Sequence, residues 1–543
     1  MNAAEAVAEV LKQEGTEQIF CFPSNSLIDA AAAAGIRPIV GREERTVINM
    51  ADAYSRVSNG RRIGVCMVQS GPGSEHAFGG IAQAYADSVP LLMLPGGSAR
   101  DRLGLRSSFD AVAAYGSVTK WAGRFGSARS VPEQLRRAFT HLRSGRPGPV
   151  VLEMPADVGP EQLPGELHYQ SPVRPRSEAD PGTVTEAVRL LLAAERPLLH
   201  AGQGVLWAEA TEELVELAEL VQAPVMTTYT GKSAFPEDHP LGIGAGGAAV
   251  SPGIAHFLPR ADLVLSVGSS LLRTLGCCGI PPGRQIIQCS ADPDDLGVEY
   301  PLACGLVGDA KLVVRQLCEE VRRQGGSARS SDRRAADEVA AMRKEAFEQW
   351  RPLLTSDEVP INPYRLIHDL MSTLDPADSI VTHDSGYPRD QLAPFYVSTR
   401  PHGYLGWGNT TPLGSSLGLA LGAKVAAPEK TVVNVMGDAA FGQSGLDVET
   451  GVRNGIPILS IVINNSEMGN YEKMQPVAQE RYGIKHLSGN YAEVARALGV
   501  HTERVERPDE IVPALKQGLA EVADGNSALL EVITRAEPAI VRL

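Results

Sequence analysis

Apolar runs of four to eight residues alternate with stretches of helical periodicity along almost the whole chain, and no other feature constrains the fold as much. Runs apolar on both faces belong to strands covered on both sides, and parallel strands joined by crossover helices produce that pattern. The expectation is an α/β fold of doubly wound parallel sheets. A chain of 543 residues is too long for one core, and the runs group into three blocks. The first spans residues 1–165, with strands QIFCF, RPIV, IGVCMV, PLLML and PVVLEM; the second spans 183–325, with PLLHAG, APVMTT, DLVLSVG and RQIIQCS; the third spans 360–543. A polar, proline-bearing link, HYQSPVRPRSEADPG, separates the first two, and a charged stretch over 322–350 reads as a solvated linker running into a helix. The first and third blocks match in size and pattern, which suits an internal duplication.

Composition removes several classes of function. With 50 basic against 64 acidic residues the net charge is -14 and the pI about 5.4, which argues against nucleic acid as a partner. No run of about 18 apolar residues is present to span a bilayer. The N-terminal MNAAEAVAEVLKQEG carries acids within its apolar region and reads as an amphipathic helix rather than a signal peptide. Seven cysteines, with no CxxC and no histidine-linked spacing, read as reduced, buried thiols of a cytoplasmic protein.

The third block holds the chemistry. TVVNVMGD is a strand ending in Gly437-Asp438, and PILSIVINN is a strand ending in Asn464-Asn465. Between them Ser444 and Asp447 form an S-x-x-D capping pattern, and Asn454-Gly455 ahead of Pro457 ends a helix. In such a βαβ unit both strand ends emerge at the same carboxyl edge, where open α/β sheets bind ligands. Asp438 and Asn465, separated by 27 residues, join a nearby loop carbonyl as hard oxygen donors suited to Mg²⁺. The geometry alone serves a plain turn equally well, since Gly-Asp and Asn pairs are common turn formers.

These residues resemble the signature of the thiamine diphosphate enzymes of the acetolactate synthase, 2-hydroxyacyl-CoA lyase and oxalyl-CoA decarboxylase group, in which GDG is followed by about 27 residues and NN. The resemblance implies Asp438, Asn465 and the carbonyl of Glu467 as metal ligands, with cofactor contacts at Gly437, Ala439, Ala440 and Met468. Ala439 stands where the signature has its third glycine, which is harmless at negative φ and strained in a left-handed conformation.

A second motif lies in the first block. GREERTVINMADAY is similar to the family's pattern of an acid ten residues before a tyrosine, here Tyr54, and places Glu44 as the catalytic acid. VQSGPGSEHAFGGIAQAYADSVPLLMLPGG matches the family's SGPG loop, helix and strand, which implies cofactor contacts at Ser70, Gly71, Pro72, Gly73 and His76. His76 and the glycine pair after it look most like the 2-hydroxyacyl-CoA lyase version. The implied role of Glu44 is a hydrogen bond to the pyrimidine N1′, favouring the imine form of the 4′-amino group that takes the C2 proton. Apolar surroundings favour a carboxyl in that role, and Val47, Ile48 and Met50 can supply them. Read alone, Glu43-Glu44 is a solvated pair at a helix N-terminus; two matching motifs at opposite ends of the chain favour the catalytic assignment.

The same resemblance puts Gly386 and Tyr387 of THDSGYP at the diphosphate, Leu413 beneath the bent cofactor, and Phe109 and Asp110 on the substrate side, Asp110 standing where many relatives have Gln. Lys120 is either a contact for a substrate carboxylate or a surface lysine. Departures matter too. No histidine lies between His76 and His141, so the paired histidines of pyruvate decarboxylases are absent. Where acetolactate synthases carry an acidic segment at FAD, this chain reads SSLLRTLGCCG, so FAD is not expected. The GQG of HAGQGV falls short of a full fingerprint and reads as a tight strand-to-helix turn, with CoA or ADP left open for this block.

Taken together, the resemblance implies pyrimidine-binding, central and diphosphate-binding domains. It implies a carbon–carbon lyase or carboligase that uses thiamine diphosphate and Mg²⁺ on a 2-oxo acid, acetolactate synthase-like. A 2-hydroxyacyl-CoA lyase or oxalyl-CoA decarboxylase acting on an acyl-CoA, and a non-catalytic cofactor-binding scaffold, are the alternatives. A homodimer or homotetramer with active sites between subunits is implied as well.

Overall fold

The computed structural model describes residues 1–325, 332–406, 408–469 and 471–543. Three sheets, with every strand pairing inside them parallel, carry the chain. In spatial order the first runs Arg37–Val40, Gln18–Cys21, Gly64–Met67, Leu91–Met93, Val150–Pro155 and Gly96–Gly97, with Trp121–Arg124 also paired to Val150–Pro155. The second runs Gly242–Gly246, Val225–Thr228, Pro197–Ala201, Leu263–Val267, Gln285–Ser290 and Cys304–Val307. The third runs Tyr404–Leu405, Ser379–His383, Thr431–Gly437, Leu459–Asn464, Ala528–Ile533 and His501–Val505. Central strands such as Gly64–Met67 and Leu459–Asn464 are buried at every position, because helices cover both faces and leave no face for water. The α/β expectation holds, with one sheet in each of the three blocks.

Two compact units form. One comprises Met1–Pro175 with Ser415–Glu429 and Ser444–Pro457; the other comprises Arg176–Gly414, Lys430–Gln443 and Ile458–Leu543. In the first unit the helix Ser416–Ala426 packs on Glu44–Val57 through Gly418 and Gly422. A Cβ at Gly418 would meet the Asn49 Cβ at 2.7 Å. Only glycine lets the two backbones approach so closely.

The charged linker becomes the helix Arg334–Leu354, and its residues 326–331 lie outside the described residues. The S-x-x-D box does not form. Ser444 instead closes the helix Asp438–Ser444, its hydroxyl buried without a hydrogen-bond partner among the described residues. Asp447 turns to the Arg42 N–H (2.8 Å) and the Thr450 hydroxyl (2.7 Å). Gly455 ends the helix Val448–Asn454 in a left-handed conformation, φ 64°, as the sequence led one to expect. All seven cysteines are free and buried, and no helix of the described residues is long and apolar enough to cross a membrane.

Candidate active site

The third sheet reverses its strand order between Ser379–His383 and Thr431–Gly437, since the connection after Ser379–His383 goes to one side and the next strand adds on the other. Such a switch point leaves a crevice at the carboxyl ends of the strands. A cavity of about 410 Å³ sits there. It draws on the loop after Ser379–His383 (Gly386, Tyr387), on Leu413, on the turn after Thr431–Gly437 (Asp438, Ala439, Ala440) and on the turn after Leu459–Asn464 (Asn465, Glu467, Met468), with Gly437 at its edge. Residues scattered over more than 80 positions of sequence thus share one cavity.

Local chemistry fixes each turn. Gly386 adopts φ 81°, and Asp384 ties the neighbouring loops by accepting the N–H groups of Ser385 (2.8 Å) and Gly414 (3.1 Å). The two asparagines divide their work. Asn464 is buried and donates to the Glu531 carboxylate at 2.7 Å, so it belongs to the fold. Asn465 lines the cavity, its side-chain oxygen accepting the Glu467 N–H at 3.1 Å. Ser466, the residue after Asn465, takes φ 56°. The Glu467 carboxylate is held by Lys485 at 3.0 Å.

Asp438 is 3% exposed. One carboxyl oxygen accepts the Ala439 N–H at 2.7 Å, and the other is buried with no hydrogen-bond partner among the described residues. Burial pushes the carboxyl up to about 6; the N–H groups of Ala439, Ser466 and Glu467 offset part of that shift. A buried carboxyl with one oxygen lacking a partner is costly when charged unless a cation meets it. Ala439 lies in the first turn of Asp438–Ser444 and is not among the residues with positive φ, so alanine brings no strain there.

In the first unit Glu44 opens the helix Glu44–Val57 and is buried, and Val47, Ile48 and Met50 beyond it are fully buried. Its carboxylate meets the His76 Nδ1 at 3.4 Å. His76 sits on Pro72–Ala86, whose N-cap Gly71 has φ 66°, directly after the strand Gly64–Met67. The Ser70–Gly73 loop therefore lies at the carboxyl edge of that sheet, where its order also reverses, between Gln18–Cys21 and Gly64–Met67. Asp110 caps the helix Ala111–Tyr115 through the Ala113 N–H (3.2 Å) and pairs with Arg124 at 2.8 Å, both through Oδ1, so that one of its oxygens holds the fold. Half-buried Phe109 precedes that cap. Lys120 donates to the His141 and Ser144 carbonyls at 2.6 Å each, closing the helix Val131–Arg143.

The GQG turn is backbone packing. A Cβ at Gly202 would fall 2.3 Å from the Gly268 carbonyl oxygen, and the Gly204 N–H donates to that same oxygen at 2.9 Å. Sequence reasoning missed Ser385, Asp390, Thr411 and Ile463, which also line the 410 Å³ cavity. Ser385, directly beyond Asp384 at a strand end, carried a positional signal; Asp390 and Thr411 carried none.

Comparison with known proteins agrees with this geometry. Residues 1–115 match the thiamine pyrophosphate enzyme N-terminal TPP binding domain, 184–317 the central domain and 384–532 the C-terminal TPP binding domain. A probable acetolactate synthase large subunit of Methanocaldococcus jannaschii is 31% identical over 542 residues, covering 96% of this chain and 90% of that protein. The chain belongs to the thiamine pyrophosphate enzyme family. This thiamine pyrophosphate enzyme is also 27% identical to the acetolactate synthase isozyme 3 large subunit of Escherichia coli, over 98% of its length and 94% of that protein. It is 29% identical to a sulfoacetaldehyde acetyltransferase of Castellaniella defragrans, over 99% of its length and 94% of that protein.

The residues present fit the family's cofactor. The cavity at the switch point has the volume and mixed lining of a cofactor site, and its most buried acid, Asp438, has an oxygen without a partner among the described residues. No cluster of three or more His, Cys, Asp or Glu side chains that could hold a metal occurs among the described residues. The Asp438 carboxylate, the Asn465 amide and the backbone carbonyls of these turns are hard oxygens of the kind that Mg²⁺ takes alongside phosphate.

Proposed function

We propose that this enzyme is an acetolactate synthase-like carboligase or lyase that uses thiamine diphosphate and Mg²⁺ on a small 2-oxo acid. The buried, half-satisfied carboxyl of Asp438 at the mouth of a parallel-sheet switch point carries the reading. In the proposal Asp438, the Asn465 amide oxygen and the Glu467 carbonyl hold the ion. Gly386, Tyr387, Gly437, Ala439, Ala440 and Met468 seat the diphosphate, and Leu413 supports the ring system from below. Ser70, Gly71, Pro72 and Gly73 shape the pyrimidine side. Glu44, buried at a helix start, gives or shares a proton at the pyrimidine nitrogen. The bound cofactor supplies the nucleophilic carbon and the electron sink; the protein orients it, excludes water and holds the proton at Glu44. Phe109 stays on the substrate side, and Asp110 is the cap that fixes its loop.

The active assembly is a homodimer or homotetramer in which Glu44 of one chain serves the cavity of its partner. Neither nucleic acid nor membrane is part of the proposal, and a cytoplasmic location is. Flavin is left out as well, because SSLLRTLGCCG stands where the resemblance expects an acidic segment.

Purified protein, denatured and oxidised, should release a cofactor that fluoresces as thiochrome. Turnover on pyruvate, benzoylformate, oxalyl-CoA and a 2-hydroxyacyl-CoA should then single out the 2-oxo acid. Activity confined to the CoA thioesters would move the assignment to the lyase or decarboxylase branch. Failure to bind thiamine diphosphate with Mg²⁺ would overturn it altogether.

A further inference from the structure

Glu44 and Ile48 are one helical turn apart on Glu44–Val57, and His76 and Gly80 are one turn apart on Pro72–Ala86. A Cβ at Gly80 would stand 2.8 Å from the Ile48 Cβ, so the two helices touch backbone to side chain at that level. One turn nearer the helix starts, the same approach brings the His76 Nδ1 to 3.4 Å from the Glu44 carboxylate. The pairing is therefore built by helix packing. Within the single chain the two side chains differ sharply in exposure: Glu44 is 7% exposed and His76 68%. No other side-chain hydrogen bond or ion pair reaches the Glu44 carboxylate among the described residues.

We propose that His76 is a positioning residue for Glu44: it orients the buried carboxyl through Nδ1 and carries protons between that carboxyl and solvent. This rests on the assignment of Glu44 made above. The transfer is a balanced proton movement. Nε2 accepts a proton from hydronium to give the imidazolium, and Nδ1–H passes its proton to the Glu44 carboxylate, leaving neutral imidazole, water and a protonated acid. The reverse sequence returns the proton. A buried acid that must change protonation during a cycle needs such a path, because bulk water does not reach it. Other charged groups lie on or beside the same elements. Glu43 meets Arg45 (3.4 Å) and the Thr46 hydroxyl (3.1 Å), Asp447 takes the Arg42 N–H, and Glu75 is exposed on the same helix as His76.

Two measurements test it. In cofactor-free protein, ¹⁵N-histidine spectra should show neutral His76 protonated on Nδ1, and E44Q should weaken that preference so that the Nε2–H form dominates, as in free imidazoles of histidine. A dominant Nε2–H form in the unsubstituted protein, or no change in E44Q, overturns the proposal. With thiamine diphosphate and Mg²⁺ at saturating concentration, H76A should exchange the C2 proton of the bound cofactor for deuterium at least about tenfold more slowly than the unsubstituted protein. Added imidazole should restore the rate in H76A but not in H76N, where the amide fills the space. Unchanged exchange in H76A, or a loss that imidazole leaves untouched, overturns it. If the unsubstituted protein binds no thiamine diphosphate, the functional assignment fails first, a result distinct from normal binding with exchange indifferent to His76.

Discussion

A methyl group placed on Gly422 would fall 2.1 Å from the carbonyl oxygen of Met50. The helix that begins at Glu44 is thus pinned against Ser416–Ala426 at a backbone-to-backbone contact. G422A should destabilise the protein by about 3 kcal/mol, since the obstacle is main chain and cannot swing aside. The control is G442A, at an exposed helical glycine with nothing within 4 Å of a built Cβ. That variant should gain about 0.5–1 kcal/mol. Urea unfolding of both would check the contrast; equal effects would refute the contact.

Asp438 is held in a position that costs stability for the sake of binding. In metal-free buffer at neutral pH, D438N should melt about 2 °C higher than the unsubstituted protein, because the amide removes a charge from a buried, half-satisfied place. The same variant should lose Mg²⁺-supported retention of thiamine diphosphate by at least about 100-fold. Calorimetric melting and equilibrium dialysis read the two effects separately. A lower melting temperature would mean the carboxylate has a partner after all.

His200 gives the protein an acid-side weakness away from the cleft. It is buried, bonded to the Ser266 hydroxyl at 2.9 Å, and burial pushes its imidazole down to about 4. The unfolded chain therefore takes up a proton as the pH drops through 6.5, while the folded chain refuses it until about 4. Stability from this group is complete above 6.5 and falls by about 2 kcal/mol between pH 7 and pH 5. Comparing the pH slopes of unfolding free energy in the unsubstituted protein and H200Q isolates the contribution; parallel slopes would exclude it.

E44Q should fold normally and bind cofactor, but lower kcat/KM by about 100-fold or more. A439G tests the turn from the other direction. Because Ala439 is helical, glycine there should leave cofactor affinity unchanged and cost about 0.5–1 kcal/mol. Tighter binding by A439G would show that alanine restrains the turn.

The interior strands were legible because they are apolar along most of their length, so QIFCF, IGVCMV and PILSIVINN stand out without any partner in view. Gly96–Gly97 and Gly242–Gly246 were not, since glycine-rich edges carry neither period nor propensity. Asp438 and Asn465 were findable because a βαβ unit forces both strand ends to one edge. Asp390 and Thr411 reach the same cavity by loop paths that local pattern does not encode. The S-x-x-D box failed because Asp447 found a better donor in Arg42, some 400 residues away in sequence. GLALG, with glycines four apart, was on view all along, but which helix it would press against is decided only by tertiary structure.

The two segments Ser415–Glu429 and Ser444–Pro457 fold with the first 175 residues, not with their own sequence neighbours. Cloning boundaries drawn at the polar links would strip the amino-terminal piece of both helices and lay bare the surface that Gly418 and Gly422 seal. A gene for this protein cannot be parcelled into autonomous exon-like cassettes: any recombinant shuffling that swaps its front third must bring along matched inserts from its rear.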